Sequence, residues 1–269
     1  LRAPLAWFIV AVTFDSFLVA SGYVYSYHEK VGRIFDWKYD GQVARYLVRH
    51  SFPLLLSGAA VLIYQRVDQV MIRNMIDDAS VGYFSIAGKF TELILFLPIV
   101  MSQTIAPLLI RARETNVAAY VRKRQQFVDV IVWTALILAV FVSLGSSWLI
   151  RLTYGRQYLK AIPVLQIMAF KSVGMALTAS SGQLIIIEHL QKWAAVRNLI
   201  GVAVCVGMNL LLIPRYGIVG SAWATILTVA FTGCLANAFI PPYHPALKIQ
   251  VKALLLGWRE LLRVKTLWA

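Results

Sequence analysis

The sequence predicts an all-α integral membrane protein with about seven transmembrane helices. Of the 269 residues, 59% are hydrophobic and only 14% are charged, and the mean hydropathy is +0.70. Soluble domains average about 45 to 50% apolar and about 25% charged residues. A bilayer core needs about 20 mainly apolar residues per helix. Seven segments meet this requirement: 4–25, 52–72, 93–110, 127–150, 163–187, 195–213 and 217–240.

Each segment is delimited by its own residues. The first has the length of a full span and lacks the charged leader and cleavage site of a signal peptide. The second ends in the polar run "YQRVDQ". The third can begin as early as Val81, with Pro98 and Pro107 as kinks that membrane helices tolerate. The fifth is interrupted by a single lysine, Lys171, and the last two are separated by "PRY".

The basic residues predict the orientation. Lysine and arginine collect in the connections 26–51 and 111–126 and in the tail, and cytoplasmic segments carry this excess. With alternating spans, the "EHLQKW" connection and the C-terminus then also lie in the cytoplasm. The loop "RLTYGRQYLK", with three basic residues, is on the outer side and weakens the rule without reversing it. We interpret the net charge of +14 as basic residues that set the membrane orientation and attract anionic lipids, and not as a sign of nucleic-acid binding.

Two segments have the pattern of helices that lie along the membrane surface. In "GQVARYLVRHSF" the apolar Val43, Tyr46 and Leu47 share one helical face, and Arg45 and Arg49 share another. The tail "ALKIQVKALLLGWRELLRVKTLW" has a similar pattern. We expect anchoring to anionic lipids, with binding of a partner protein as the alternative.

Polar and small residues form stripes on two of the predicted spans. Lys171, Thr178 and Ser181 recur with glycines on one face of the fifth span, and Asn198 and Asn209 do so on the sixth. Close helix packing is the ordinary role of such small residues. A lysine deep in hydrocarbon costs about 2.5 to 3.5 kcal/mol or more, so it tends to face water or protein. We therefore predict that these polar residues line a cavity.

Two of the carboxylates in the predicted spans are candidates for coupling an ion. Asp15 is central in the first span, and Asp68 is near the end of the second. Arg66, two residues before Asp68, is a further candidate for the cavity. An acid inside a membrane indicates a polar neighbour or a site that carries a proton or cation.

Enzyme chemistry finds little support in the sequence. It contains no HExxH, GxSxG, P-loop or CxxC motif, and the two cysteines, Cys205 and Cys234, lie in apolar segments. We expect no catalytic residue, metal or cofactor. A membrane-embedded glycosyltransferase or acyltransferase is a weaker alternative, for which Asp36, Asp40 and His50 are the loose candidates.

Three stretches together resemble the oligosaccharide flippases of bacterial polysaccharide biosynthesis, within the multidrug/oligosaccharidyl-lipid/polysaccharide exporter superfamily. They are "LLLSGAAVLIYQRVDQVMI", "ASVGYFSIAGKFTELILFLP" and "NLLLIPRYGIVGSAWATIL". The resemblance covers roughly residues 45–240. It implies two six-helix lobes that enclose a central cavity open alternately to either side.

The resemblance also implies a division of the chain. Residues 1–25 would be the last helix of a truncated N-terminal lobe, 26–51 a basic cytoplasmic connection, 52–240 a complete six-helix C-terminal lobe, and 241–269 a basic amphipathic tail. About five helices of the first lobe would be missing, so the chain is expected to be a fragment.

The function that the resemblance implies is a flippase of the bacterial inner membrane. It would move undecaprenyl-pyrophosphate-linked oligosaccharides outward for surface polysaccharide, such as the O-antigen of lipopolysaccharide. Candidate partners are anionic lipids, a polysaccharide polymerase and glycosyltransferases. The cavity residues Lys171, Thr178, Ser181, Asn198, Asn209 and Arg66 would bind the substrate, and Asp68 or Asp15 would couple an ion. An ion-coupled drug or metabolite antiporter of the same superfamily is the alternative.

Overall fold

A computed structural model describes residues 5–30, 32, 39–187 and 193–258. The described residues form helices and turns without a strand, which confirms the predicted all-α class. The chain has two compact units, Leu1–Ser51 and Phe52–Ala269. The "EHLQKW" connection at 188–193 and the end of the tail lie largely outside the described residues.

The first unit contains α1, Leu5–Lys30, and the beginning of α2, Gly41–Met75. The part Ile9–Lys30 of α1 is long and apolar enough to cross a membrane, and none of it is buried in the structure. The hydroxyls of Thr13, Ser16 and Ser21 donate to carbonyls four residues earlier in the same helix. These three hydroxyls are therefore satisfied by the backbone of α1 itself.

The second unit holds the remaining helices. The α-helices after α2 are α3 (Asp78–Thr115), α4 (Val117–Thr153), α5 (Ala161–Met168), α6 (Lys171–Ile187), α7 (Ala194–Ala230), α8 (Ala236–Phe239) and α9 (His244–Leu256). A π-helical turn, Phe231–Leu235, joins α7 to α8.

Five helical segments in the described part of the chain are long and apolar enough to span a membrane: Ile9–Lys30, Asp78–Thr115, Ala119–Thr153, Ala161–Leu184 and Val196–Phe239. The last of these covers the two predicted spans 195–213 and 217–240. The predicted span 52–72 lies in α2 and is not among the five, because its final turns carry several polar residues. The number seven stays a prediction.

Helix ends differ from the predicted connections in two places. The basic segment 111–126 is not a loop, because α3 continues to Thr115 and α4 begins at Val117. Asn116 ends one helix and caps the next, since its side chain accepts a hydrogen bond of 3.0 Å from the Ala119 amide. Similarly, the surface helix predicted at "GQVARYLVRHSF" does not stop before the second span, because both belong to α2.

The predicted fifth span is broken in its middle. Helix α5 ends at Met168 and α6 begins at Lys171, so Lys171 opens a helix instead of lying inside one. The break leaves backbone carbonyls without their helical hydrogen bonds, and serine hydroxyls donate to them. The Ser143 hydroxyl donates to the Gln166 carbonyl at 3.2 Å, and the Ser172 hydroxyl donates to the Ala169 carbonyl at 2.6 Å. Such satisfaction is what a broken helix requires inside a membrane.

Helix α7 folds back on itself at Gly217. This residue has φ 59° and ψ −139°, a left-handed backbone that favours glycine, and Pro214 lies three residues before it. Gly220 then lies against the Leu212 carbonyl so closely that a Cβ atom would collide with it. We name the part before Gly217 the first arm of α7 and the part after it the second arm. The reversal places the two arms side by side.

The tail helix α9 packs against the membrane helix α4. The Trp133 indole donates to the Ala253 carbonyl at 2.8 Å, and the Gln125 amide donates to the Ile249 carbonyl at 3.1 Å. Ile249 and Ala253 are buried in a core that α4 and α6 also share. One face of the predicted amphipathic tail is therefore covered by protein, while other apolar residues of α9, such as Leu255, are exposed.

Candidate functional site

A buried carboxylate lies where α2 meets both arms of α7. Asp68, on α2, is 1% exposed, and Asn209, on the first arm, is fully buried. The Asn209 amide donates to Asp68 Oδ1 at 2.7 Å, and the Thr225 hydroxyl of the second arm donates to Asp68 Oδ2 at 2.8 Å. Cys205 Sγ lies 3.2 Å from Oδ1. Each carboxylate oxygen is therefore held by a neutral donor.

The reversal at Gly217 builds this group. Asn209 and Ser221 are 12 residues apart, which would separate them by about 18 Å in a straight helix. Instead, the Ser221 hydroxyl donates to Asn209 Oδ1 at 2.7 Å. This bond orients the amide so that its nitrogen points to Asp68. We name Asp68, Cys205, Asn209, Ser221 and Thr225 the Asp68 cluster.

The Asp68 cluster places a carboxyl group where water is scarce. No lysine or arginine in the described part of the chain forms an ion pair with Asp68. A buried carboxylate with only neutral donors retains a large desolvation cost, and it can lower this cost by binding a proton or a small cation. Carboxylate, amide and hydroxyl oxygens are hard ligands that suit such a cation. Within the described ranges no group of three His, Cys, Asp or Glu residues could hold a metal ion.

A second feature is a set of charged side chains that the second unit leaves uncovered. Arg66, Lys89 and Glu92 are exposed, and Lys171 is half-buried. Asp68, Glu92 and Arg66 all act electrostatically on Lys171, so these groups lie in one region. Glu92 is about 21 Å along α3 from its first residue, well within a membrane-length helix. Lys89 is three residues before Glu92 on α3, so the two share one side of that helix. We name Arg66, Lys89, Glu92 and Lys171 the charged face.

Charges at this depth need water or polar protein around them, because hydrocarbon would make them costly. Three cations and one carboxylate give the charged face an excess of positive charge. It is therefore a surface on which an anion can be held, and the buried Asp68 is close enough to act electrostatically on its Lys171.

The structure brings together some of the predicted site residues. Asp68 and Asn209 are in direct contact, and Lys171 and Arg66 lie in the surroundings of Asp68. Asn198 is buried near the start of α7, about 16 Å along that helix from Asn209, and is separate from the Asp68 cluster. Asp15 is exposed on α1, in the first unit.

The stripe predicted on α6 is in large part a helix contact. Thr178 donates to the Gly174 carbonyl at 2.9 Å, and Ser181 donates to the Leu177 carbonyl at 2.7 Å, so both hydroxyl protons are used within α6. A Cβ added to Gly233 of the π-helical turn would lie 2.7 Å from the Thr178 hydroxyl oxygen. This face of α6 thus packs closely against the end of the second arm, as small residues permit.

Sequence reasoning missed three members of the Asp68 cluster. Cys205 was noted only as a cysteine in an apolar segment, and its thiol in fact lies against Asp68. Ser221 and Thr225 belong to "GSAWAT", part of a stretch that carries the family resemblance, and they were not predicted to be site residues. A signal was present, because Ser221 and Thr225 are four residues apart and share a helical face. Nothing in the sequence indicated that this face meets Asp68.

Comparisons with known proteins agree with this architecture. Residues 6–163 match the sequence profile of a family described as polysaccharide biosynthesis protein. No protein with a curated functional description matches the chain. Among solved structures, the chain is similar to the outward-facing conformation of a multidrug resistance MATE family transporter of the MOP superfamily, with a TM-score of 0.54 and 18% identity.

That similarity covers 80% of this chain and 51% of the transporter, so the chain spans about half the length of the solved structure that it matches. At this identity the likeness shows the fold alone, an all-α fold similar to that of the matched protein. The family profile covers more than half of the 269 residues. The chain therefore belongs to the family described as polysaccharide biosynthesis protein.

Proposed function

We propose that the chain is part of a flippase that moves undecaprenyl-pyrophosphate-linked oligosaccharides from the cytoplasmic to the outer face of a bacterial inner membrane. The charged face is the observation that carries this proposal. A pyrophosphate cannot cross hydrocarbon unaided, and a surface with three cations replaces part of its hydration. The family supports a role in polysaccharide biosynthesis, and the fold supports a transporter.

Lys171 is the residue that we propose to hold the pyrophosphate. It opens α6 at the break in a membrane-crossing segment, and discontinuous helices are where transporters place their binding groups. Its ammonium is a point charge that can exchange partners as the cargo moves. Arg66 lies on the same face and would share the contact. Thr178, Ser181 and Asn198 are weaker candidates, because their surroundings are already protein.

The Asp68 cluster is proposed to couple transport to a cation gradient. Asp68 touches both arms of α7, so loading its carboxylate with a proton or sodium ion would change how α2 and α7 pack. Because Lys171 lies in the electrostatic surroundings of Asp68, a cation at Asp68 would also alter how strongly Lys171 holds an anion. Asp15 remains a further candidate for this role.

The cellular setting follows from the same proposal. The cargo would serve a surface polysaccharide such as O-antigen, and a polymerase and glycosyltransferases would be partners at the two faces of the membrane. The C-terminal tail would lie in the cytoplasm. Labelling of a single cysteine introduced at Lys252, an exposed position of α9, checks this orientation in intact cells and inverted vesicles.

A transport assay tests the proposed cargo. The complete gene product that contains the chain is reconstituted in proteoliposomes with a fluorescent lipid-diphosphate oligosaccharide. We expect Lys171→Met to reduce the flipping rate at least tenfold, and Lys171→Arg to retain part of it, because a cation remains. Arg122→Met, which removes an exposed arginine from α4, is the matched control. Full flipping by Lys171→Met would exclude Lys171 as the pyrophosphate ligand.

The second candidate function is an ion-coupled antiporter for drugs or metabolites. The structural match to a multidrug resistance transporter favours it. The same proteoliposomes discriminate the two, because an antiporter would exchange organic cations for protons or sodium and leave the lipid-linked oligosaccharide in place. Export of organic cations that persists when lipid-linked cargo is not flipped would replace the flippase with this alternative.

A further inference from the structure

A buried arginine lies at the beginning of α7, away from the charged face and the Asp68 cluster. Arg197 is the fourth residue of α7 and is 5% exposed. Its Nε and Nη1 atoms are buried and have no hydrogen-bond partner among the described residues. Buried polar groups in proteins are almost always hydrogen-bonded, so two unpartnered donors on one guanidinium need an explanation.

Among the described residues, aromatic side chains and no carboxylate act on this cation. The guanidinium carbon lies 5.9 Å from the centre of the Tyr243 ring. The titratable groups that act on Arg197 are Tyr243 and Tyr64, and no acidic side chain in the described part of the chain is among them. A ring stabilises the face of a guanidinium, whereas the N–H groups point outward in its plane. The cation–π contact therefore does not use the N–H donors of Arg197, and its buried Nε and Nη1 stay without a partner among the described residues.

The chemistry of the donors selects the ligand. A guanidinium presents parallel N–H groups that fit the oxygens of a phosphate or carboxylate, and these charge-assisted bonds are the strong ones. Arg197 is also in the first turn of a long helix, where the helix dipole favours an anion. An anion bound there would balance the buried charge and satisfy both orphan donors at once.

The position of Arg197 points to an anion of the membrane surface. The membrane-length segment begins at Val196, so Arg197 is the second residue of a candidate span, and the ends of such a span face lipid headgroups. Phosphates are the common anions at this level. Along the first arm, Arg197 is about 18 Å from Asn209, so this site is separate from the Asp68 cluster.

We propose that Arg197 binds the phosphoryl oxygens of a membrane lipid at the N-terminal end of α7, with the Tyr243 ring against the guanidinium. Two lipids share this chemistry: a polyprenyl diphosphate and an anionic phospholipid. The proposal does not depend on the flippase function, because an anionic phospholipid would bind there in a protein that transports something else.

Lipid binding to the purified 269-residue chain in neutral detergent tests the proposal. The probes are undecaprenyl diphosphate and phosphatidylglycerol, with undecaprenol and phosphatidylcholine as uncharged or zwitterionic comparisons. We expect Arg197→Met to weaken binding of a phosphate lipid about tenfold to a hundredfold, the range for loss of hydrogen bonds to a charged group. Arg197→Lys should lie between the two. Binding of the diphosphate alone would identify it as the ligand, and binding of both would identify a general phosphate headgroup site.

Thermal unfolding separates a ligand site from a structural arginine. Without added lipid, Arg197→Met should melt at the same temperature as the parent chain or higher, because it removes an uncompensated buried charge. Phosphate lipids should raise the melting temperature of the parent chain and leave that of Arg197→Met unchanged. Arg122→Met, at an exposed position, controls for surface attraction and should respond like the parent. Unchanged phosphate-lipid affinity in Arg197→Met, or an equal loss in Arg122→Met, would overturn the proposal.

Discussion

The bond between Thr225 and Asp68 makes the Asp68 cluster a measurable source of stability. Thr225→Val keeps the shape of the side chain and removes the donor that lies 2.8 Å from Asp68 Oδ2. Hydrogen bonds to charged groups contribute about 1.5 to 3 kcal/mol, whereas hydrogen bonds between membrane helices average about 0.6 kcal/mol. Because the acceptor is a carboxylate that is 1% exposed, we expect the larger value.

The assay is unfolding of the purified chain by titration with a denaturing detergent in mixed micelles. A double-mutant cycle with Thr225→Val and Asp68→Leu isolates the pair from other effects of each substitution. We expect an interaction free energy of about 1.5 to 3 kcal/mol. Thr91→Val is the matched control, because the buried Thr91 hydroxyl donates only to a carbonyl of its own helix, that of Ala87.

The control should change stability by less than about 0.6 kcal/mol, the average for a membrane hydrogen bond. An interaction free energy between Thr225 and Asp68 below that average would refute the reasoning. The second arm of α7 would then not lie against α2 at Asp68 as the hydrogen bond requires.

Three further predictions concern the elements around the site. Gly233→Ala should destabilise the chain by about 1 to 3 kcal/mol in the same detergent titration, since its Cβ would lie 2.7 Å from the Thr178 hydroxyl oxygen. Gly182→Ala is the control and should be neutral or stabilising, because no other atom lies within 4 Å of the added Cβ. Gln250→Ala should loosen α9 and speed proteolysis of the tail, because the Gln250 amide donates to the Gly233 carbonyl at 2.7 Å; a tail that remains equally protected would contradict this. The hydrogen bond from the Ser80 amide lowers the pKa of Asp77, so Asp77→Ala should lower the melting temperature at neutral pH. This difference in melting temperature should disappear as the pH falls below the ordinary pKa of 3.8 and through the folded pKa. A difference that persists at lower pH would contradict the role of Asp77 as a cap.

The sign of the last prediction follows from proton linkage. A carboxyl whose folded pKa is depressed binds fewer protons in the folded chain than in the unfolded chain. Its stabilising contribution is complete above the unfolded pKa and is lost as the pH falls through the folded pKa. Asp77 is fully exposed, so the effect on melting temperature should be small.

Hydropathy located most of the helices because membrane length and apolar composition are local properties. It could not find the break before Lys171, since the run from 163 to 187 has no glycine or proline at that point. The break is stabilised by Ser143 and Ser172, and Ser143 lies on a different helix. Similarly, no local sequence signal showed that α3 extends beyond its hydrophobic segment to Thr115 or that α4 begins before its own at Val117.

The candidate site was predictable only where it depends on local properties of the sequence. Asp68 and Asn209 were found because a charge and an amide are conspicuous in apolar helices. Their contact depends on the reversal at Gly217, which brings Thr225 to the same carboxylate. Helical periodicity assigns residues to faces and does not say which faces meet. Arg197 was missed because it lies at the edge of its span, where an arginine is ordinary; only its burial makes it unusual.

The central claim is that Asp68 couples a cation gradient to movement of an anionic lipid-linked cargo. The direct measurement is the flipping rate of a fluorescent lipid-diphosphate oligosaccharide in proteoliposomes of the complete gene product, with and without an imposed sodium or proton gradient. We predict that a gradient accelerates flipping by the parent protein and by Asp129→Asn, which alters a buried carboxylate of α4, and that Asp68→Asn abolishes this acceleration. An acceleration that is unchanged in Asp68→Asn would contradict the claim.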